Sequence, residues 1–491
     1  MSEGETWTVM VYLAGDNSLT EFCVQALNEM KQVGSSEPGE GFNIIAQFDP
    51  RDSILPTTRY RIKKGGSLSG DIIDQVCDGS FFHRESSKKQ PAERSTKRLL
   101  VPYKADTGDP HMLFNFLSFC IERYRTQHYL VVLAGHGAGT ETDYLLKDES
   151  SNGYLTIPEL KKVFQDIDRF YKPACQKRPI IDVLGMDVCC MSMAEICYEL
   201  RGLVQVAVGC ESYNPAAGWP YATILERLKR EFIFSPREET ATDDLQSGVG
   251  RSIVEEFVKH YRSYDLGGVS VDQAAVDVRK IDCLKEGVAN LARALIDEFP
   301  KSADSQAFNK FRDAIVLAHW EAQSYNGELF VDLFDFCHCL HKRYDGQEVR
   351  ATCDHVMEII KEHIVLESCY AGPVYQYSYG VSIYFPWAQI AVDYENLDFP
   401  WDSGWREFLK IYTTETRRNP RNGEDTKLLE RNKTEVVMYR EVDERGDGNP
   451  IHSMRNPPIV PSLRPCGDES LDRDCISKLY TESVSGSKNV T

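Results

Sequence analysis

Short apolar runs alternate with segments of helical periodicity along the first part of the chain, and this alternation restricts the fold more than any other feature. The apolar runs, rich in β-branched and aliphatic residues, are 8–14, 43–48, 129–134, 179–186 and 203–208. Apolar residues recur at helical spacing in 18–31, 106–125, a segment that Thr156 caps, and 191–200. Strands separated by helices predict a parallel sheet covered on both faces. The fold class is therefore α/β, a three-layer α/β/α sandwich with a mostly parallel central sheet and helical C-terminal additions.

The pattern changes twice along the chain and predicts three parts. Residues 1–235 are predicted to form the α/β core, and 236–412 a helix-rich part with extra strands near 269–278 and 380–385 that pack on the core. Apolar periodicity fades after Tyr412, which predicts a poorly structured tail over 413–491. Within the core, the basic stretch 84–104 reads as a solvated loop, with a site of proteolytic nicking or partner binding as the alternative.

The net charge and the cysteine content indicate which classes of partner the protein binds and in which cellular compartment it lies. The chain has 56 Lys and Arg against 75 Asp and Glu, a net charge of −19, which argues against nucleic acid because phosphates would be repelled. No apolar run is long enough for a membrane span, and no signal peptide is visible. The 15 cysteines without such a signal indicate reduced thiols and a cytoplasmic protein.

Two reactive residue types follow two of the predicted strands. His136 lies just beyond the strand 129–134, and Cys189 just beyond the strand 179–186, so a right-handed crossover would bring them to one edge of the sheet. A thiolate attacks a carbonyl, and an imidazole serves as base and then as acid. The N–H groups of Gly137 and Cys189 can form an oxyanion hole. A helix expected from Met191 would favour the thiolate.

Structural readings of the same residues stay open at this point. A histidine and a cysteine after strands are common in cores, and Cys190, Cys197 and Cys210 read as small core residues. The glycines of 135–139 also suggest a phosphate loop, but their spacing is G-x-G-x-G and no helix pattern opens directly after them. Cys337 and His341 have the spacing of a metal pair, but Cys337 falls on an apolar helix face.

Several segments in order resemble the clostripain family of cysteine peptidases, in the clan that also holds caspases, legumains and gingipains. The segments are an opening strand and turn (7–17), a Gly-Asp-Pro before the histidine strand (108–110), a nucleophile segment D-x-C-x-M-x-x-x-E (187–195), a Gly-Trp turn (215–221) and two late landmarks (380–386 and 405–409). Together they cover most of 7–412.

The resemblance implies a caspase-like sandwich, a His136–Cys189 dyad and cleavage after Arg or Lys. Cys189, two residues after Asp187, takes the place of the nucleophile, whereas Cys190 falls at a usually apolar position. Asp187 and Glu211 are the predicted substrate-binding residues, with Asp187 in an acidic pocket for the basic side chain. The alternative role for Asp187 is a cap of the helix after Cys189. Ala216 and Ala217 stand where a second acidic residue is often expected near the Gly-Trp turn, which weakens the predicted basic preference.

Two further family properties concern processing and calcium. Relatives self-cleave between the catalytic residues, and Lys147–Asp148 in the polar stretch 143–153 is a candidate site, with a simple loop as the alternative. Calcium stimulation is known in the family, but Asp143, Asp148 and Glu149 are too scattered along the sequence to be assigned as ligands. No cofactor is expected to be required.

The sequence thus predicts a cytoplasmic cysteine endopeptidase that acts on protein or peptide substrates with basic residues. Neither nucleic acid nor membrane is expected as a partner, and the oligomeric state cannot be read. One alternative is a caspase-like peptidase with a different residue preference and a dedicated partner substrate, as in a defence or cell-death circuit. The other is a nucleotide-binding or scaffolding protein on the same fold, without proteolysis.

Overall fold

The fold was obtained as a computed structural model that describes residues 6–51, 55–76, 104–140, 144–233, 244–263, 269–299 and 306–417. The strands are β1 (Trp7–Gly15), β2 (Phe42–Pro50), β3 (Thr58–Arg61), β4 (Ile72–Gln75), β5 (His128–Ala134), β6 (Ile181–Asp187), β7 (Val204–Gly209), β8 (Val271–Asp277), β9 (Ser324–Tyr325), β10 (Phe330–Asp332), β11 (Val365–Ala371) and β12 (Ser382–Tyr384). The helices are α1 (Thr20–Val33), α2 (Pro110–Arg123), α3 (Ile157–Tyr171), α4 (Ala194–Glu199), α5 (Tyr221–Leu228), α6 (Leu245–Ser263), α7 (Ile281–Glu298), α8 (Gln306–Glu321), α9 (Leu333–Arg343), α10 (Gln347–Ile359), α11 (Phe399–Asp402) and α12 (Trp405–Arg417).

A nine-stranded sheet forms the middle layer, in the order β11-β8-β7-β6-β5-β1-β2-β3-β4. The five central strands, β7, β6, β5, β1 and β2, pair in parallel, as the alternation of strands and helices predicted. The two strands at each edge pair antiparallel, so the sheet as a whole is mixed. A separate sheet of three short strands, β9, β10 and β12, lies in the C-terminal part.

Two hydrophobic cores cover the two faces of the main sheet. Side chains of β1 alternate between them, with Met10 and Tyr12 in one core and Val9, Val11 and Leu13 in the other. This period of two is the one expected of a strand that is buried on both faces. The first core also takes residues from α2, α3, α4 and α7, and the second from α1, α5 and α6. The predicted three layers are confirmed.

Capping residues set the starts of two helices that the sequence predicted. Asp109 caps α2, its side chain accepting the His111 N–H, so the helix begins at Pro110 rather than at Asp106. Thr156 and Glu159 form a reciprocal capping box at the start of α3, which confirms the predicted cap. Within the described residues, no helix combines the length and the apolarity needed to cross a membrane.

Strands of the C-terminal part extend the sheet of the core directly. β8 pairs with β7, and β11 pairs with β8, so the two parts share one sheet. The division at residue 235 stays a prediction. Helix α12 continues to Arg417, so the first five residues of the predicted tail, 413–417, are helical. The remaining tail, 418–491, and the basic stretch up to 103 lie outside the described residues.

Candidate active site

The carboxyl ends of β5 and β6 bring the two candidate catalytic side chains to one edge of the sheet. The strands are adjacent and parallel, and Ala134 at the end of β5 pairs with Asp187 at the end of β6. His136 and Cys189 each follow one of these paired residues by two positions. Both side chains are partly exposed, so this edge is open to a substrate.

His136 contacts a residue of the turn after β1, the strand that pairs with β5 on the side away from β6. Its Nε2 lies 2.9 Å from Oγ of Ser18, an exposed residue in the turn after β1. Burial lowers the pKa of His136 from its ordinary 6.5, against an opposing effect of the Glu149 carboxylate. The imidazole is therefore neutral at pH 7 and able to accept a proton. Among the described residues, no hydrogen bond joins His136 to Cys189.

Cys189 lies in a turn and is tied to the loop after β7. Its Sγ accepts the N–H of Asn214 at 3.3 Å. Burial raises the pKa of the Cys189 thiol to about 11, with Asn214 opposing and Asp187 adding to the rise. The predicted helix from Met191 is wrong in its start, because α4 begins at Ala194 and has six residues. The helix dipole falls off within one turn and does not favour the thiolate, so the resting form is the thiol.

The neighbouring cysteine faces the other way. Cys190 is fully buried in the core, with a left-handed φ of 58°, and its N–H donates to the Ser212 carbonyl at 2.8 Å. Cys197 and Cys210 are also buried, as predicted. Cys189 is the partly exposed thiol of the pair.

Gly137 packs against the turn that carries Cys189, where a side chain would not fit. A Cβ there would lie 2.4 Å from Cγ1 of Val188, the residue before Cys189. Gly137 also forms a bridge with Leu145 in which the flanking residues make the hydrogen bonds, so its N–H points away from that partner. In the part of the chain that is described, neither the Gly137 nor the Cys189 N–H donates to a backbone carbonyl. Both amides are thus available to an oxyanion.

Asp187 lies beneath the loop after β7 and accepts three hydrogen bonds. The donors are the Trp219 N–H at 3.1 Å, the Tyr221 hydroxyl at 2.9 Å and the Asn214 side-chain amide. The residue is 8% exposed, and burial raises its pKa to about 6 while these donors oppose the rise. The alternative role as a helix cap is wrong, because Met193 occupies the N-cap of α4.

Glu211, the second predicted substrate-binding residue, lies in the interior of the protein. It is fully buried, and its carboxyl accepts the Gly380 N–H at 2.9 Å. Burial and the nearby Asp332 carboxylate raise the pKa of Glu211 well above its ordinary value. In this conformation it supports the loop that carries Gly380, and its role in substrate binding stays a prediction.

Asn326, in the turn between β9 and β10, forms hydrogen bonds with two loops of the candidate site. The side chain of Asn326 accepts the Tyr213 hydroxyl at 2.8 Å, next to Asn214. The amide of the same side chain donates to the Ala138 carbonyl at 3.5 Å, next to Gly137. Asn326 thus connects the loop that carries His136 with the loop that contacts Cys189.

The remaining candidate motifs have structural surroundings. Cys337 is buried in the core on α9, as its apolar face predicted, and Nδ1 of His341 lies 2.7 Å from a carboxylate oxygen of Asp354. The glycine segment 135–139 is followed by a bridge and a loop, since the next helix in the chain is α3. At the candidate cleavage site, the Lys147 carbonyl accepts a hydrogen bond from Asn17 at 2.9 Å, and Asp148 is buried. Whether the chain cuts itself there stays a prediction.

Among the described residues, one group of His, Cys, Asp or Glu side chains is close enough to hold a metal ion. It consists of Asp16, Asp49 and Asp148, all buried. Asp148 shares the polar stretch 143–153 with Asp143 and Glu149. Asp143 lies outside the described residues, and Glu149 is exposed and pairs with Arg51.

Sequence reasoning missed Ser18, Asn214 and Tyr221. Ser18 could have been found by the rule that located His136, because it follows a central strand of the same sheet by three residues. Asn214 and Tyr221 carry no such signal. Their approach to Asp187 depends on how the loop after β7 folds back over β6.

The model of a protein family, described as the clostripain family, matches residues 11–412 of the sequence. The chain belongs to the clostripain family. It is 22% identical over 393 residues to clostripain of Hathewaya histolytica, a match that covers 73% of this chain and 70% of that protein. The protein is therefore a cysteine peptidase.

Solved structures of C11 proteases share the fold. A secreted C11 cysteine protease of Bacteroides thetaiotaomicron, solved with an irreversible peptide inhibitor, superposes with a TM-score of 0.55 at 16% identity. An inactive zymogen C11 protease of Parabacteroides distasonis gives a TM-score of 0.51 at 19% identity. Each match covers 82% of this chain and 99% of the other. The predicted caspase-like α/β fold of this peptidase is confirmed.

Proposed function

We propose that this cysteine peptidase is an endopeptidase that cleaves after arginine or lysine, with Cys189 as nucleophile and His136 as general base and acid. One observation carries the assignment of the two residues: Ala134 and Asp187 pair in adjacent parallel strands, and each lies two residues before one of the reactive side chains. The neutral imidazole, the partly exposed thiol, and the Gly137 and Cys189 amides, which donate to no backbone carbonyl among the described residues, support the same reaction.

The proposed reaction begins with transfer of the Cys189 thiol proton to His136 as Sγ bonds to the carbonyl carbon. The carbonyl oxygen becomes an oxyanion and accepts hydrogen bonds from the Gly137 and Cys189 amides. His136 then gives the proton to the leaving amine as the C–N bond breaks, which leaves a thioester on Cys189. Water attacks the thioester, His136 accepts a proton from the water, and that proton returns to Sγ as the acid product leaves.

Asp187 is proposed to recognise the basic side chain before the cleaved bond, the P1 residue. A buried carboxylate at the end of β6 supplies the negative charge that a guanidinium or ammonium pairs with. Asn214 and Tyr221 already donate to this carboxylate, so a P1 side chain would share or replace one of these donors. The net charge of −19 gives basic peptides a weak additional attraction that salt screens.

The second candidate is a peptidase with another P1 preference and a dedicated partner substrate. The three hydrogen bonds and low exposure of Asp187 favour it, since they already stabilise that carboxylate. The uncharged Ala216 and Ala217 at the Gly-Trp turn favour it as well.

The decisive experiment is a peptide library digested by the wild type, Cys189→Ala and Cys190→Ala. We expect cleavage by the wild type and by Cys190→Ala, and a loss of at least a thousandfold in Cys189→Ala, since removal of a nucleophile costs such factors. Equal cleavage by Cys189→Ala would reject the nucleophile. No cleavage by the wild type, with or without calcium and after trypsin nicking, would reject the proposed activity.

Specificity is tested on the same library with Asp187→Asn, which keeps the shape of the side chain and removes its charge. We expect KM for peptides with P1 Arg to rise about tenfold or more while peptides with apolar P1 residues change little. Asp166→Asn, which removes a partly exposed carboxylate of α3 that pairs with Lys162, is the matched control. Cleavage by the wild type only after acidic or apolar residues would favour the second candidate.

The cytoplasm is the proposed compartment. All twelve cysteines in the described ranges are free thiols, which agrees with a reducing environment. Alkylation of the denatured protein isolated from its native source, without added reductant, tests this by intact mass. We expect every cysteine to be modified, and protected pairs would contradict the location.

A further inference from the structure

Three carboxylates from distant parts of the chain meet beside the site. Asp16 follows β1, Asp49 lies at the end of β2, and Asp148 lies in the loop between β5 and α3. One oxygen from each lies within 4.8 Å of the others, and each residue is at most 1% exposed. Negative charges buried this close require a cation or protons.

Lys104 is a cation that faces this cluster. The Lys104 ammonium lies 2.5 Å from Oδ2 of Asp16 and also donates to the Arg51 carbonyl and the Ser150 hydroxyl. One ammonium group balances one of the three carboxylates, and its other donors are used elsewhere. The cluster therefore has room for more positive charge than the described residues supply to it.

The hydrogen bonds of the cluster leave two buried oxygens without a donor. Asp148 accepts from the amide and hydroxyl of Thr107, and Oδ1 of Asp49 accepts the Thr57 hydroxyl at 2.6 Å. Oδ1 of Asp16 and Oδ2 of Asp49 accept no hydrogen bond from the described part of the chain. Buried polar oxygens without a partner are rare and indicate a bound species that completes them.

We infer that Asp16, Asp49 and Asp148 bind a divalent cation that prefers oxygen ligands, and that this cation is Ca²⁺. The donor set contains carboxylate oxygens alone, without the imidazole or thiolate that zinc prefers. Ca²⁺ accommodates several carboxylates in flexible geometry, whereas Mg²⁺ keeps most of its water and uses one or two. The residues therefore fit the calcium that the family resemblance implies.

The site is joined to His136 by consecutive residues. After Asp16, the side chain of Asn17 donates to the Lys147 carbonyl at 2.9 Å, and Ser18 contacts His136. Asp148 directly follows Lys147. A cation that fixes Asp16 and Asp148 would thus fix the turn that presents Ser18 to His136. This link, unlike the binding site itself, rests on the proposed function.

Binding is tested directly on the full chain with Cys189→Ala, which cannot cut itself by the proposed mechanism. After removal of metal with EDTA and buffer exchange, isothermal titration with Ca²⁺ alone is expected to show one saturable site. Asp49→Asn and Asp148→Asn should each weaken it at least tenfold, and the surface control Asp166→Asn should not. Ca²⁺ should raise the thermal midpoint of the parent but not of Asp49→Asn.

Other outcomes would overturn the inference. The cluster does not bind metal if the parent shows no saturable Ca²⁺ binding, or if Asp49→Asn binds as tightly as the parent. Tighter binding of Mg²⁺ than of Ca²⁺ would reject the assignment of calcium. Lys104→Met removes the positive charge beside the three aspartates and should tighten Ca²⁺ binding about threefold or more. Unchanged or weaker binding would contradict a cation site next to Lys104.

The link to catalysis has a separate test. In the active protein, Ca²⁺ should raise kcat/KM, and Ser18→Ala should bind Ca²⁺ normally but lose this stimulation. Ca²⁺ binding without an increase in kcat/KM would reject the link to catalysis but not the proposed binding site. If the wild type cleaves no peptide at all, the titration still decides whether the three aspartates bind the cation.

Discussion

Oγ of Ser18 lies 2.9 Å from Nε2 of His136, so the turn after β1 holds the candidate catalytic histidine that follows β5. The two strands are adjacent and parallel, which makes the contact a direct consequence of the sheet order. The same turn carries Asp16 of the proposed calcium site. Ser18 therefore connects the cluster with the candidate dyad.

Ser18→Ala is expected to lower kcat/KM about two- to tenfold, because a hydrogen bond contributes roughly 0.5–1.5 kcal/mol. The loss should lie in kcat rather than KM, since Ser18 orients the base and is not placed to bind substrate. Steady-state kinetics on one peptide measure it, with the exposed Ser67→Ala as control. A change confined to KM would argue against the positioning role.

Cys189 is expected to react slowly with alkylating agents at neutral pH. Burial raises the pKa of its thiol to about 11, so roughly one molecule in ten thousand carries the thiolate at pH 7. The rate of modification by iodoacetamide, followed by mass spectrometry, should rise steadily from pH 6 to pH 10. The exposed Cys175 and Cys283 serve as references in the same sample. A rate that levels off below pH 7 would instead indicate a thiolate–imidazolium pair.

Activity is expected to fall on the acid side below pH 6.5. Burial lowers the pKa of His136 from its ordinary value, and the base must be neutral to accept the thiol proton. The profile of kcat/KM against pH measures this, with Cys190→Ala as a control that should share the same limb. An acid limb centred above pH 7 would contradict the assignment of His136.

Asp187 is expected to make stability depend on pH between about 4 and 6. Burial raises its pKa from 3.8 to about 6, so the folded state holds the proton more tightly than the unfolded state. This contribution is present in full below pH 4 and is lost as pH rises to 6, by up to about 3 kcal/mol. Urea unfolding of Cys189→Ala with and without Asp187→Asn measures it. The difference between the two curves should change across this window, and a constant difference would contradict the shift.

Gly137→Ala is expected to lower kcat at least a hundredfold, because its Cβ would lie 2.4 Å from Val188 and displace an oxyanion donor. The overpacked turn should also cost about 1–3 kcal/mol of stability. Gly70→Ala, where a Cβ has nothing within 4 Å, is the control. A second substitution, Val188→Ala, should restore part of the activity, and its failure to do so would show that the clash is not the cause.

Local sequence patterns were sufficient to predict most strands and helices, but not to predict the residues at which they begin and end. The caps Asp109 and Thr156 act through neighbouring residues, and Thr156 was predicted correctly for that reason. The segment after Cys189 has helical spacing from Met191, yet its backbone amides bond to the loop after β7 instead. The Met191 N–H donates to the Cys210 carbonyl, so the helix starts only at Ala194.

By itself, the sequence determined the alternation of strands and helices, the parallel centre of the sheet and the two strand ends that carry His136 and Cys189. These features follow from side-chain periodicity and from the handedness of crossovers, which act over short stretches of chain. Only the tertiary structure decided that Cys189 rests as a thiol, that Asp187 is already hydrogen bonded, and that Asp16, Asp49 and Asp148 meet. Those properties depend on burial and on distances between residues far apart in the chain, and neither has a local signal.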